Sequence, residues 1–245
     1  MPALDTAAYA SAWRLRHPGD KAVLALGLLA CAVALPPWPA APLVAAVALG
    51  ALLGSARVPA RLVGRVVRVP LGFVAVGALP LALTVGRGGV GLDTAALPEV
   101  AEVAGRSGAA VLSLVLLAAT TPLADVLPRL RRLGVPAAVV EVAALTYSML
   151  SLLLVTVATV REAQAARLGT STRRRALRSA ALQASSTFVR VFDRARRLEE
   201  GLALRGSTGA LEVLVEERRR SARFLAASAA LLAGVVTASL LVGAR

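Results

Sequence analysis

Two stretches decide the fold: AVLALGLLACAVAL, residues 22–35, and GAAVLSLVLLAA, residues 108–119. Both are continuous apolar runs without the alternation of a membrane barrel strand. Similar runs occupy 42–53, 69–85 and 224–242. A soluble domain of 245 residues cannot hide a composition that is 57% hydrophobic. Lipid is therefore the solvent, and backbone groups in lipid must pair within helices. The expected fold is an all-α polytopic membrane protein with about five transmembrane helices.

The formal charge of +14 rests almost wholly on arginine, since Lys21 is the single lysine. Charge alone could point to nucleic acid. An aromatic content of 3% leaves no base-stacking platform, so no nucleic-acid partner is expected. In a membrane chain such charge instead marks cytoplasmic loops. The start, MPALDTAAYASAW, is neither basic nor apolar, and no cleavable signal peptide is evident.

Loop charge sets the expected orientation. Arg14, Arg16 and Lys21 precede the first run. Arg57, Arg61, Arg65 and Arg68 fill the loop expected between the second and third runs, with no acid among them. Both places are cytoplasmic if the N-terminus is inside. The turn at Pro36, Pro37, Trp38 and Pro39, and the mildly acidic loop 86–107, then fall outside. Gly86 to Gly91 and Pro98 predict irregular structure in that loop. The fourth span ends inside, at Thr121-Pro122, before Arg129, Arg131 and Arg132.

Residues 137–160, AAVVEVAALTYSMLSLLLVTVATV, are apolar and long enough to cross. Crossing would place residues 161–220 outside, with 14 arginines against 7 acids. That outcome breaks the charge rule, although the rule weakens for long loops. Glu141, Thr146, Tyr147, Ser148, Ser151 and Thr156 dilute the run, and such groups are costly on a lipid-facing helix. The composition favours a helix that does not cross fully. The expected domains are four N-terminal spans over 1–121, cytoplasmic helices over 122–220, and a final span over 221–245.

Residues 161–220 read as helical. Thr and Ser near residue 172 are capping candidates, and Leu177, Ala181, Phe188, Phe192, Ala195, Leu198 and Leu202 recur at helical spacing, beside Arg190, Arg194 and Arg197. The helix should end at Gly206, and an earlier one at Gly169. Each ending carries an arginine: Ala166, Arg167, Leu168 and Gly169 in the first, Leu204, Arg205 and Gly206 in the second. One account is local, with Arg complementing the helix dipole and Gly taking the C′ position. The other is functional, with each guanidinium docking in an acidic or carbonyl-lined groove of a partner.

No catalytic constellation is visible, and the chain reads as a non-enzyme with no cofactor. One histidine, His17, and one cysteine, Cys31, make a tight transition-metal site within this chain improbable. No GxxxxGK[ST] motif is present, so ATP is not bound by that route.

Three stretches carry a family resemblance: TTPLADVLPRLRRLGVP (120–136), EVAALTYSMLSLLLVTVATVREAQAARLG (141–169) and STFVRVFDRARRLEEGLALRG (186–206). Their order resembles the transmembrane T component of energy-coupling factor (ECF) transporters, in particular the cobalt/nickel CbiQ type. In that family, short Ala-Arg-Gly-like motifs end two cytoplasmic coupling helices, and each docks on one ATPase subunit. The resemblance implies docking by Ala166, Arg167 and Gly169, and by Leu204, Arg205 and Gly206. It implies two ATP-binding cassette ATPases and a substrate-binding membrane S component as partners, the cell's inner membrane as the site, and cobalt or nickel uptake as the task. It also places 137–160 in the coupling domain. Leu204 stands where Ala is usual, Ser207 where an aromatic is common, and Ser148 where Arg is expected. The alternatives are a vitamin-importing T component, a membrane enzyme with its site in the spans, and a non-transport scaffold whose basic face binds lipid.

Overall fold

The computed structural model describes residues 3–78, 80, 83–86, 89–92, 96–169, 171–206 and 218–243. Arg87, Gly88, Asp93, Thr170, Ser207 and residues 211–217, all drawn on in the sequence reading, lie outside them. The helices are α1 (Ala3–Ala10), α2 (Pro18–Ala34), α3 (Pro37–Gly50), α4 (Ala60–Ala78), α5 (Leu97–Thr120), α6 (Leu123–Leu130), α7 (Ala137–Ala166), α8 (Arg173–Leu204) and α9 (Ala222–Gly243). A π-helical turn, Ala51–Ser55, prolongs α3. The chain is a helical membrane protein that divides into two compact units, residues 3–123 with 216–245, and residues 124–215.

In the first unit α5 is central and packs against α1, α2, α3 and α4, while α9 lies on α2 and α3. Leu28, Val44, Leu52 and Leu116 meet in its fully buried core. Lipid is as apolar as these side chains, so close fit rather than water exclusion holds the helices together. Gly27 shows how close the fit is: a Cβ there would stand 2.5 Å from Leu232 Cδ1 of α9.

Among the described residues, four helices are long and apolar enough to cross a membrane: α3 with its π turn, α5, α7 and α9. The expected first span is α2, whose 17 residues include buried Asp20 and Lys21 at its start. The expected third span, 69–85, is corrected. Its helix is Ala60–Ala78, so Arg61, Arg65 and Arg68 are helical residues rather than loop. Arginine is a good helix former, and the 61/65/68 spacing keeps one face for solvent or headgroups while Val63 and Val67 are buried opposite.

The loop after α4 is corrected as well. Leu83–Gly86 pairs antiparallel with Gly89–Leu92, Leu83 opposite Leu92 and Gly86 opposite Gly89, a short hairpin where irregular structure was expected. Valine and threonine favour strand, and a two-residue connection suits a hairpin. Pro98, Glu99, Glu102 and Arg106 belong to the first turns of α5, not to a loop.

In the second unit, α7 and α8 form an antiparallel helical hairpin. Gln183 Nε2 donates to the Val157 carbonyl at 2.9 Å, and Gln164 Nε2 to the Ser179 carbonyl at 3.3 Å. Thr172 caps α8 through its hydroxyl, which accepts from the Arg175 N–H at 3.3 Å. No residue of α8 is buried.

Candidate functional site

The two arginine-tipped helix ends have the same local form. Arg167 is the C-cap of α7 (φ −92°, ψ 18°) and Arg205 the C-cap of α8 (φ −89°, ψ 7°). Both are exposed, and among the described residues neither has a hydrogen bond or ion pair from its guanidinium. A leucine stands exposed beside each, Leu168 at 67% and Leu204 at 89%. Each tip therefore offers an exposed cation next to an apolar knob.

The endings differ in how the chain turns. At α8, Gly206 takes the left-handed conformation (φ +67°), and its N–H donates to the Ala203 carbonyl at 3.0 Å. At α7 the left-handed residue is Leu168 (φ +55°), so Gly169 sits one position beyond C′. The Leu168 N–H reaches the Ala165 carbonyl at 3.0 Å and the Gly169 N–H the Gln164 carbonyl at 2.9 Å, which is a Schellman ending. Glycine is needed at 169 for space. A Cβ would stand 2.7 Å from Ser179 Oγ and 2.9 Å from the Gln164 carbonyl oxygen. Ser179 Oγ also donates to the Gly169 carbonyl at 3.0 Å, which fastens the α7 tip to α8.

The structure does not bring the two arginines together. They lie at opposite ends of the antiparallel hairpin, and 32 residues of α8 make about 48 Å. In the half of the hairpin nearer Arg205 lies an open groove of about 900 Å³, bounded on one wall by Glu141, Leu145, Met149 and Leu153 and on the other by Arg194, Leu198 and Leu202. The expected apolar stripe of α8 is thus split: Leu198 and Leu202 line the groove, whereas Leu177, Phe188 and Phe192 are exposed.

A second feature escaped the sequence reading. Asp20 and Lys21, adjacent at the start of α2, are 2% and 1% exposed. Lys21 Nζ donates to the Thr120 carbonyl at 2.7 Å, at the C-terminus of α5, where a cation complements the dipole. The Ser221 N–H, at the start of α9, donates to Asp20 Oδ2 at 2.9 Å. The chain leaves this unit after Leu123 and returns at residue 216. Consecutive residues of α2 therefore fasten both connections. Trp13 meets Phe224 edge to face at 5.1 Å between ring centres, the Arg16 guanidinium lies 4.6 Å over Phe224, and Arg218 donates to the Arg14 carbonyl. The signal was present: a lone lysine among 28 basic residues, next to an acid, at the head of an apolar run.

Among the described residues no group of three or more His, Cys, Asp or Glu could hold a metal ion. Residues 10–216 match the cobalt transport protein family CbiQ. The chain belongs to that family. It is 40% identical over 241 residues to the cobalt transport protein CbiQ of Rhodobacter capsulatus, covering 98% of this chain and 99% of that protein. It is 28% identical over 227 residues to a fused cobalt transport protein CbiMQ of Methanocorpusculum labreanum, covering 87% of this chain and 38% of that one. The CbiQ match takes in Asp20, Lys21, Thr120 and both arginine tips, and stops short of Ser221.

Proposed function

We propose that this chain is the transmembrane coupling subunit of an ATP-driven ECF importer, and that the transported ion is cobalt. Membership of the CbiQ family and the name of the R. capsulatus relative support the substrate. The observation that carries the coupling role is the pair of exposed, C-cap arginines, each beside an exposed leucine, at opposite ends of one hairpin. Two like tips about 48 Å apart along α8 fit two copies of one kind of partner better than a single shared pocket. Each guanidinium can bind carboxylate or carbonyl groups in a groove of one ATPase. Those ATPases, not this chain, hydrolyse ATP. Their closure would move the tips, and α7 and α8 would carry the movement to a substrate-binding membrane partner. The uncovered apolar surface of both helices, with the groove between them, supports contact with such a partner. In this reading the N-terminus is cytoplasmic and the protein sits in the inner membrane, as the arginine distribution supports.

The test is charge reversal in the intact complex. Arg167→Glu and Arg205→Glu should each cut ATPase co-purification and cobalt uptake while leaving the chain in the membrane. Full assembly and uptake in both single variants would show the docking assignment to be wrong.

A further inference from the structure

Helix α4 carries a row of arginines that the coupling role does not use. Arg61, Arg65 and Arg68 recur at i, i+4 and i+7 and are all exposed. The stretch from Ala56 to Ala78 contains no acid. Among the described residues none of the three makes an ion pair or hydrogen bond through its guanidinium. The neighbouring helix supplies no counter-charge either. Leu71 Cδ2 comes within 3.5 Å of where a Cβ on Gly108 would be, so α4 packs there on the later half of α5. That half, Gly108–Thr120, has no charged residue.

The character of the outward face changes sharply after Arg68. Val69, Phe73 and Val76 follow at the same helical spacing, 77%, 80% and 71% exposed. Gly72 lies on this face with nothing within 4 Å of a Cβ placed on it, which leaves a notch beside Phe73. The arginine row, 61 to 68, and the apolar row, 69 to 76, each span about 10 Å of helix axis. That order is the profile of one bilayer leaflet, headgroup layer first and acyl chains next.

We propose that this face of α4 is a binding site for an anionic phospholipid. The guanidinium forks of Arg61, Arg65 and Arg68 hold the headgroup phosphate, and an acyl chain lies in the Gly72 notch against Phe73. Arginine suits the task because its planar fork binds phosphate bidentately and stays charged. A nucleic acid or an acidic peptide would satisfy the arginines but leave Val69, Phe73 and Val76 uncovered. A phospholipid satisfies both halves.

The test uses the full chain in phosphatidylcholine nanodiscs containing a minor fraction of spin-labelled phosphatidylglycerol or, separately, spin-labelled phosphatidylcholine. The readout is the motionally restricted fraction of each label. The parent chain should prefer phosphatidylglycerol, by about fivefold for each arginine that meets the phosphate. R61Q/R65Q/R68Q should bring the preference close to unity, and G72L, which keeps every arginine, should lower it by filling the notch. R173Q/R174Q/R175Q removes equal charge from α8 and should change nothing. R61K/R65K/R68K keeps the charge without the fork, provides for a glutamine variant that fails to fold, and should give an intermediate preference. No lipid preference in the parent, or equal loss in both glutamine triples, overturns the site. So does a lysine variant and a G72L variant both at the parent level, because diffuse surface charge would then suffice.

Discussion

Replacing Lys21 by methionine should unfold the first unit at a markedly lower temperature. Methionine preserves the buried stem and removes only the ammonium group. That group is 1% exposed and donates at 2.7 Å to the Thr120 carbonyl. Losing the bond leaves a buried carbonyl unsatisfied, a cost of about 1–3 kcal/mol. We take about 3 kcal/mol, which for a chain of this size lowers the melting midpoint by about 6–12 °C. Cys31 provides the readout, because it is the sole cysteine and is packed against the same core. Its labelling by a thiol-reactive dye during a temperature ramp reports opening of α2. Lys21→Arg should also destabilise, since a planar fork with five N–H donors would replace a compact ammonium with three, and the two extra donors would need partners in a buried site. Arg175→Met on the exposed face of α8 is the control and should stay within about 0.5 kcal/mol of the parent. A Lys21→Met midpoint as close to the parent as that control would refute the reasoning.

Other expectations follow from particular positions. Gly169→Ala should loosen the α7 tip by about 1–3 kcal/mol, since its Cβ would press on Ser179 Oγ and on the Gln164 carbonyl; faster amide exchange at residues 165–169 is the measurement. Leu168→Gly should slow that exchange by relieving a left-handed leucine at φ +55°, a gain of about 1 kcal/mol. Gly27→Ile should separate α9 from α2, because even a Cβ there meets Leu232 at 2.5 Å; a lowered melting midpoint by the same Cys31 labelling would show it.

The sequence made the long apolar helices legible because lipid allows few alternatives. α5 and α9 needed only length and composition. It misjudged α4 because arginines at 61, 65 and 68 look like loop charge when counted, and like an amphipathic helix only when spaced. Gly169 shows a different limit. A glycine after a helix ordinarily signals a left-handed turn, yet here Leu168 makes the turn and Gly169 is small because Ser179, ten residues later, lies against it. Asp20 and Lys21 show the deepest limit. Charges at the head of a membrane helix normally face headgroups, and nothing local in the sequence says that Thr120 and Ser221 enclose these two. The exposed tips at Arg167 and Arg205 were legible because capping is local chemistry.

The course of α7 can be argued from its partner. By length and composition α7 could cross a bilayer, and little of it is buried within the protein. One face of α7, however, follows α8: Gln164 bonds to Ser179, Val157 to Gln183, and the groove sets residues 141–156 opposite residues 190–203. Helix α8 carries Arg173, Arg174, Arg175, Arg178, Arg190, Arg194, Arg196 and Arg197 and buries no residue. Taking α7 through the hydrocarbon would draw those arginines in with it, at about 2.5–3.5 kcal/mol for each one placed near the centre. We infer that both ends of α7 stay on one side of the membrane. In a Cys31→Ser background, Ala137→Cys and Ser171→Cys place single thiols at exposed positions, one on the first residue of the helix and one just past its end. A membrane-impermeant maleimide should label both from the same side of sealed, oriented vesicles. Labelling from opposite sides would mean that α7 crosses, and that the hydrogen bonds to α8 do not hold it at the membrane surface.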